Sequence, residues 1–518
     1  MKRQFLTAIG LLLTAWVMGQ GATITLERAE NKTVINKNIY GMFSEHLGRG
    51  IYGGIWVPTD AKVQKQGRIR MDVVNALRAI EIPNLRWPGG CFADEYHWMD
   101  GIGDPAKRPK MVNTNWGNVS EDNSFGTNEF MELCKLLNTQ PYVSGNLGSG
   151  SVKEMSNWIE YMNFDGLSPM TQLRKKNGAE KPFGVQFFGV GNESWGCGGS
   201  MTPEYYVNEF KRYATFTKNY KGAHLKRIAS GANSDDYHWT EVCMKEIPLN
   251  MMWGLSMHYY TIPTGNWGKK GSATDFNNGE YFQTMKNCLK MEELVTKHSA
   301  IMDKYDPEKK VALVVDEWGV WTDPEPGTNP AFLYQQNSLR DALIAATTLN
   351  IFNNHADRVR MANLAQTVNV LQSLILTKGD EMVLTPTYYV FKQFKVHQDA
   401  TLVPLKIESP EFSVDGESIP AINASASLNA NGGLDISLVN LDSRNDIEVT
   451  FTLPEATGGK YNNASGEILT SNALTDVNTF DNKLNVKTDS FTGFKLASSG
   501  KELTVRLPKH SLVSLHLK

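Results

Sequence analysis

At 518 residues, with 41% apolar and 21% charged side chains, the chain has the composition of a soluble globular protein and the length for a large domain plus a smaller one. A formal net charge of −3 gives no footing for nucleic acid or an anionic membrane as partner. Five scattered cysteines, with no C-x-x-C and no H-x-x-x-H, speak against a disulfide framework and a metal site, so the fold is expected to stand on its core alone, without metal or cofactor.

Lys2 and Arg3 precede an apolar run from Phe5 to Met18 and a small-residue exit at Gly19-Gln20-Gly21-Ala22. These are the three parts of a secretory signal peptide, expected over 1–21, and the run is too short for a confident membrane span. Export follows as an expectation, to the periplasm or the medium; a buried N-terminal helix is the bland alternative. No later run is apolar enough to cross a bilayer.

From 38 to 391, short β-like runs alternate with helical patterns. The runs are Ile39–Phe43, Asn84–Trp87, Pro141–Ser144, Val185–Val190, Arg227–Ser230, Leu255–His258, Val311–Val315 and Ala362–Gln366. Between them, Thr127–Asn138, Glu204–Tyr220 (opened by Thr202 and Pro203) and Met291–Tyr305 carry helical signals. Eight alternations predict an α/β fold, a (β/α)8 TIM barrel enlarged by inserted loops. Over 392–518 the texture changes to apolar–polar alternation, as in Leu434–Val439, Ile447–Leu453 and Leu503–Leu507, broken by Gly- and Asn-rich turns. That predicts a C-terminal antiparallel β-sandwich, jelly-roll-like, with 22–37 adding an N-terminal strand to it.

Function in a parallel barrel gathers at the C-terminal ends of its strands. The fourth run ends in Gly191-Asn192-Glu193 and the seventh in Asp316-Glu317-Trp318, so each places a carboxylate at the rim. Two carboxyl groups facing each other across a barrel mouth suit glycosidic cleavage, in which one protonates the leaving oxygen and the other attacks or activates water. The bland reading makes Glu193 and Glu317 structural partners of arginines such as Arg86. Gly145-Asn146-Leu147-Gly148-Ser149-Gly150 follows a strand, but its glycine spacing is not a dinucleotide fingerprint and no acidic partner is evident.

Five blocks narrow the choice: Glu45–Trp56, Arg86–Phe92, Gly191–Glu193, Asp316–Trp318 and Ala365–Val370. In this order they resemble the α-L-arabinofuranosidases of glycoside hydrolase family 51, and with the C-terminal domain the likeness covers nearly the whole mature chain. The resemblance implies an exo-acting, retaining hydrolase that releases terminal arabinofuranose from plant-type oligo- or polysaccharides, and a homo-oligomer. It casts Glu193 as acid/base and Glu317 as nucleophile, with Glu45, Cys91, Asn192, His258 and Gln366 around the sugar. Tyr260 matches a tyrosine near the nucleophile, with Tyr259 as the alternative register. Arg86 is expected to orient the nucleophile, or else to pack. Cys91 reads as a wall of the sugar pocket rather than a nucleophilic thiol. Retention implies carboxyl groups about 5 Å apart. Trp116–Gly126 and Thr261–Gly279 shape the polysaccharide side and match no preference. The rival readings are an endo-acting xylanase or glucanase and a non-catalytic glycan binder; the small pocket implied by Glu45 and Cys91 disfavours the first, and the presence of both carboxylates disfavours the second.

Overall fold

The computed structural model describes residues 21–30, 32–454 and 460–518. The segment 1–20, which carries the expected signal peptide, lies outside them. Eight strands form a closed barrel in chain order: Gly41–Phe43, Asn84–Trp87, Gln140–Gly145, Phe187–Val190, Lys226–Asn233, Gly254–Thr261, Ala312–Val320 and Val359–Ala365. Neighbours are parallel throughout, and the eighth closes on the first with Asn363 opposite Gly41. Tyr142, Phe187, Ile228, Ala312, Val314 and Met361 fill the interior, so the barrel is a packed core that carries its chemistry only at the rim.

Two helices show how a cap and an apolar face set their bounds. Thr202 accepts from the Tyr205 amide and Pro203 opens the helix Pro203–Phe216, whose buried face includes Tyr206, Val207, Phe210 and Tyr213. The helix predicted from Met291 starts earlier, at Asn278, where Asn277 and Glu280 close a capping box.

The seventh strand departs from its predicted end. It continues through the carboxylates to Val320 and is buried along its whole length. Its register slips against both neighbours: Ser256 and His258 face Val314 and Glu317, while Ala362 and Leu364 face Val315 and Trp318. One extra residue in the seventh strand is therefore bulged out around Asp316 and Glu317, and a bulge re-aims side chains that strict alternation would send to opposite faces. Trp318, just beyond, packs on Phe352 and Phe391 in the helical layer. Trp318→Ala is expected to cost about 3–5 kcal/mol by opening a cavity there, read as an earlier urea unfolding midpoint.

The C-terminal domain stacks two sheets. One runs Leu405–Glu408, Ala22–Leu26, Ile447–Thr452, Glu502–Leu507, Phe494–Leu496; the other is a six-stranded antiparallel sheet centred on Leu434–Asn440. Among the described residues a single pair of these strands is parallel, Ala22–Leu26 against Ile447–Thr452. The helix Leu339–Asn354, buried on nearly every side, lies between barrel and sandwich. Asn350 and Asn353 bond Asn423 and Ser425 of the sandwich, and Tyr40 donates to Asn353 at 2.6 Å. Among the described residues no helix is long and apolar enough to cross a membrane.

Candidate active site

The C-terminal ends of the strands surround a cavity of about 570 Å³ whose walls include Glu45, Cys91, Glu193, His258, Tyr260 and Glu317. Glu193 follows the fourth strand in a turn where both Gly191 and Glu193 take positive φ, at 84° and 39°. Glycine adopts that geometry freely, whereas at Glu193 it is a strained conformation held by the surrounding turn. Glu317 projects from the bulge of the seventh strand. An oxygen of Glu193, an oxygen of Glu317 and a ring nitrogen of His258 all lie within 4.8 Å of one another.

Around Glu317 the polar contacts are dense. The buried Arg86 donates to Glu317 Oε1 at 2.9 Å and to Asn192 Oδ1 at 2.6 Å, and its Nε sits 3.6 Å from Asp316 Oδ2. Burial works against the charged guanidinium, but the Asp316 and Glu317 carboxylates outweigh it and hold the proton firmly. Tyr260 donates to Glu317 Oε2 at 2.7 Å, while Tyr259 turns away to the Asn287 carbonyl, so Tyr260 is the tyrosine that meets this carboxylate. Both oxygens of Glu317 thus accept a hydrogen bond, which fixes the carboxylate plane.

His258 bridges the two carboxylate-bearing strands. Its Nδ1 lies 2.9 Å from Glu193 Oε1 and its Nε2 lies 3.0 Å from Asp316 Oδ1. Burial works against a charged ring, yet Glu317, Asp316 and Glu193 push its pKa up to about 10, so it stays an imidazolium and donates on both sides. Asp316 is held below the ordinary carboxyl range: burial opposes this, but Arg86, His258 and the Tyr142 hydroxyl at 2.6 Å prevail. Glu193 goes the other way, raised first by burial and then by the Glu317 charge.

Glu45, in the loop after the first strand, forms the far wall. It accepts from Trp116 Nε1 at 2.9 Å, the Phe92 amide at 3.0 Å and Gln366 Nε2 at 3.1 Å. Burial, then the Glu317 charge, raises its pKa to about 7. All nine residues singled out in the sequence (Glu45, Arg86, Cys91, Asn192, Glu193, His258, Tyr260, Glu317 and Gln366) meet at this one rim.

Several members of the network carried no distinct sequence signal. Asp94 accepts from the amides of Leu147, Gly148 and Asn192, tying together the loops after strands two, three and four. Asp316 is visible only as the neighbour of Glu317. The cysteine expectation needs correction: Cys91 and Cys197 are joined by a disulfide, leaving Cys134, Cys243 and Cys288 free and buried. The two are 106 positions apart, and only the barrel, by placing the loops after strands two and four side by side, brings them together.

Two family models match, the alpha-L-arabinofuranosidase 1 domain over residues 76–278 and the alpha-L-arabinofuranosidase C-terminal domain over 316–511. The chain is 51% identical to an intracellular exo-alpha-L-arabinofuranosidase of Bacteroides ovatus, over the full length of both. A crystal structure of the GH51 arabinofuranosidase of Xanthomonas axonopodis pv. citri superposes with a TM-score of 0.93 at 50% identity, covering 96% of this chain and all of the other. The alpha-L-arabinofuranosidase of Thermotoga maritima, solved as an arabinose complex, superposes with a TM-score of 0.82 at 29% identity, covering 96% and 99%. The Bacteroides protein, being intracellular by name, overturns the expected export to periplasm or medium. A basic start followed by an apolar run is a pattern of composition, and it does not by itself specify a destination.

Proposed function

This chain belongs to the α-L-arabinofuranosidases of glycoside hydrolase family 51, and we propose that Glu317 is its nucleophile and Glu193 its acid/base. The enzyme is exo-acting and retaining. The approach of the two carboxylates to within 4.8 Å suits the roughly 5–5.5 Å of double displacement. The observation that carries the division of roles is that Glu317 is held by donors from Arg86 and Tyr260, while burial and the Glu317 charge raise the pKa of Glu193.

In the first step Glu317 attacks the anomeric carbon while Glu193 gives its proton to the departing oxygen. Arg86 and Tyr260 hold both Glu317 oxygens, so one face of the carboxylate is presented to the sugar with little reorganisation. His258 donates to Glu193 Oε1, which leaves Oε2 to carry the transferable proton. Water, activated by the deprotonated Glu193, then opens the arabinosyl ester with net retention. Glu45, Gln366 and the Cys91 side of the cavity line the place of a single terminal furanose, with Asn192 buried behind them against Arg86, and this wall supports exo action.

The pH dependence follows from the two states of Glu193. Its acid form starts the reaction, so activity is present below its raised pKa and lost as pH rises through it. Esterification neutralises Glu317, removes one cause of the elevation and makes Glu193 a base. The alkaline limb of kcat/KM is expected above the ordinary carboxyl value of about 4.3. In Glu317→Gln, where the like charge is gone, the Glu193 carboxyl band in difference infrared spectra should titrate at lower pH than in wild type. An unmoved or higher titration would contradict the coupling.

The name of the Bacteroides relative supports action inside the cell, which favours arabinose-bearing oligosaccharides derived from plant polysaccharide over the intact polymer as substrate. A homo-oligomer is the assembly the family resemblance supports, and sedimentation of the purified chain decides it.

A further inference from the structure

We propose that the chain holds a second, latent site at the same rim: once the Cys91–Cys197 bond is reduced, the two thiolates and Glu193 bind a thiophilic divalent cation such as Zn²⁺, which shuts the enzyme off. The inference rests on the assignment of Glu193 as acid/base for its inhibitory effect, but not for metal binding itself.

Three ligand atoms already converge. Cys197 Sγ lies 3.5 Å and Cys91 Sγ 3.8 Å from the same oxygen, Glu193 Oε2. Tetrahedral zinc, with Zn–S near 2.3 Å and Zn–O near 2.0 Å, sets sulfur-to-oxygen edges of about 3.5 Å. Two edges of that tetrahedron are therefore in place, and the third requires only that the sulfurs part after reduction, from backbone positions whose Cα atoms are 5.5 Å apart. Cys197 is exposed and Cys91 half-buried on the cavity wall, so both reductant and ion reach the pair.

The chemistry balances with a phosphine as reductant. The phosphine attacks one sulfur, the S–S bond takes up two electrons, and water supplies two protons to the thiols and its oxygen to the phosphine oxide. The cation then displaces both thiol protons and ligates the Glu193 carboxylate. Glu193 Oε2 is the oxygen that His258 leaves free for proton transfer, so an ion on it removes the general acid directly. In the oxidised chain the sulfurs share a bond and offer no thiolate, so the disulfide protects the active site against such ions.

Cobalt is the probe, because thiolate-to-Co²⁺ charge transfer reports sulfur ligation independently of catalysis. The full-length protein is reduced with a phosphine, freed of it, and titrated with Co²⁺ and then Zn²⁺, with near-ultraviolet circular dichroism reporting the fold. The expected result is one Co²⁺ per chain with the charge-transfer band, displacement by Zn²⁺, loss of arabinofuranoside hydrolysis at saturation and recovery with a chelator. The oxidised protein should show no band. Cys197→Ser should lose it, and Cys243→Ser, which alters a buried thiol elsewhere, should keep it. Absence of the band in the reduced, folded wild type, its survival in Cys197→Ser or its loss in Cys243→Ser would overturn the proposal. Binding with the band but without loss of hydrolysis would overturn the inhibitory role.

Discussion

Glu317→Ala is expected to lower kcat on an aryl α-L-arabinofuranoside by about 10⁴-fold or more, because the carboxylate that forms the covalent intermediate is removed. Arg86 and Tyr260, which now spend their hydrogen bonds on Glu317, would be left facing a small vacancy beside the anomeric carbon. Azide fits such a vacancy, and attack from that side should restore measurable turnover and give the β-arabinofuranosyl azide, with inverted configuration. A variant that keeps most of its activity, or whose azide product retains configuration, would remove Glu317 from the nucleophile's role.

Glu193→Ala should behave differently, and the difference separates the two carboxylates. A proton matters in proportion to the basicity of the departing oxygen, so natural saccharides and methyl aglycones should lose about 10²–10⁴-fold in kcat/KM. A dinitrophenyl aglycone departs without protonation and should lose little in kcat/KM. Its turnover should instead stall at the second step, where the base is missing, and azide should relieve the stall and give the α-azide with retained configuration. The greater exposure of Glu193 fits this dual role: 17% of its side chain is accessible against 7% for Glu317, as expected of the group that meets both leaving group and water. Equal losses across all aglycones would contradict the assignment.

The barrel was legible because its strands are short apolar runs with polar ends, and a parallel sheet covered by helices imposes that pattern. Asn84–Trp87 matches to the residue. The seventh strand was legible only to Val315, since the bulge that carries Asp316 and Glu317 is a property of pairing with two neighbours and leaves no periodicity to read. The same limit applies to the site. Carboxylates at two strand ends stand out in one dimension, and the family likeness supplied Glu45 and Gln366. Asp94 does its work on backbone amides from two other loops, and nothing about a lone aspartate announces that. Cys91 and Cys197 pair across 106 positions, a closeness created by the closed barrel alone. The N-terminal apolar run pointed to export, which the intracellular name of the Bacteroides relative contradicts, and composition alone does not specify a destination.

The most direct measurement is to trap the intermediate. Wild-type enzyme is incubated with an activated 2-deoxy-2-fluoro-α-L-arabinofuranoside, whose fluorine slows the second step, then digested and sequenced by mass spectrometry. The account predicts one fluoroarabinosyl group per chain, ester-linked to Glu317, and none in Glu317→Ala. A label on Glu193 or elsewhere, or rapid turnover with inversion and no label, would contradict it.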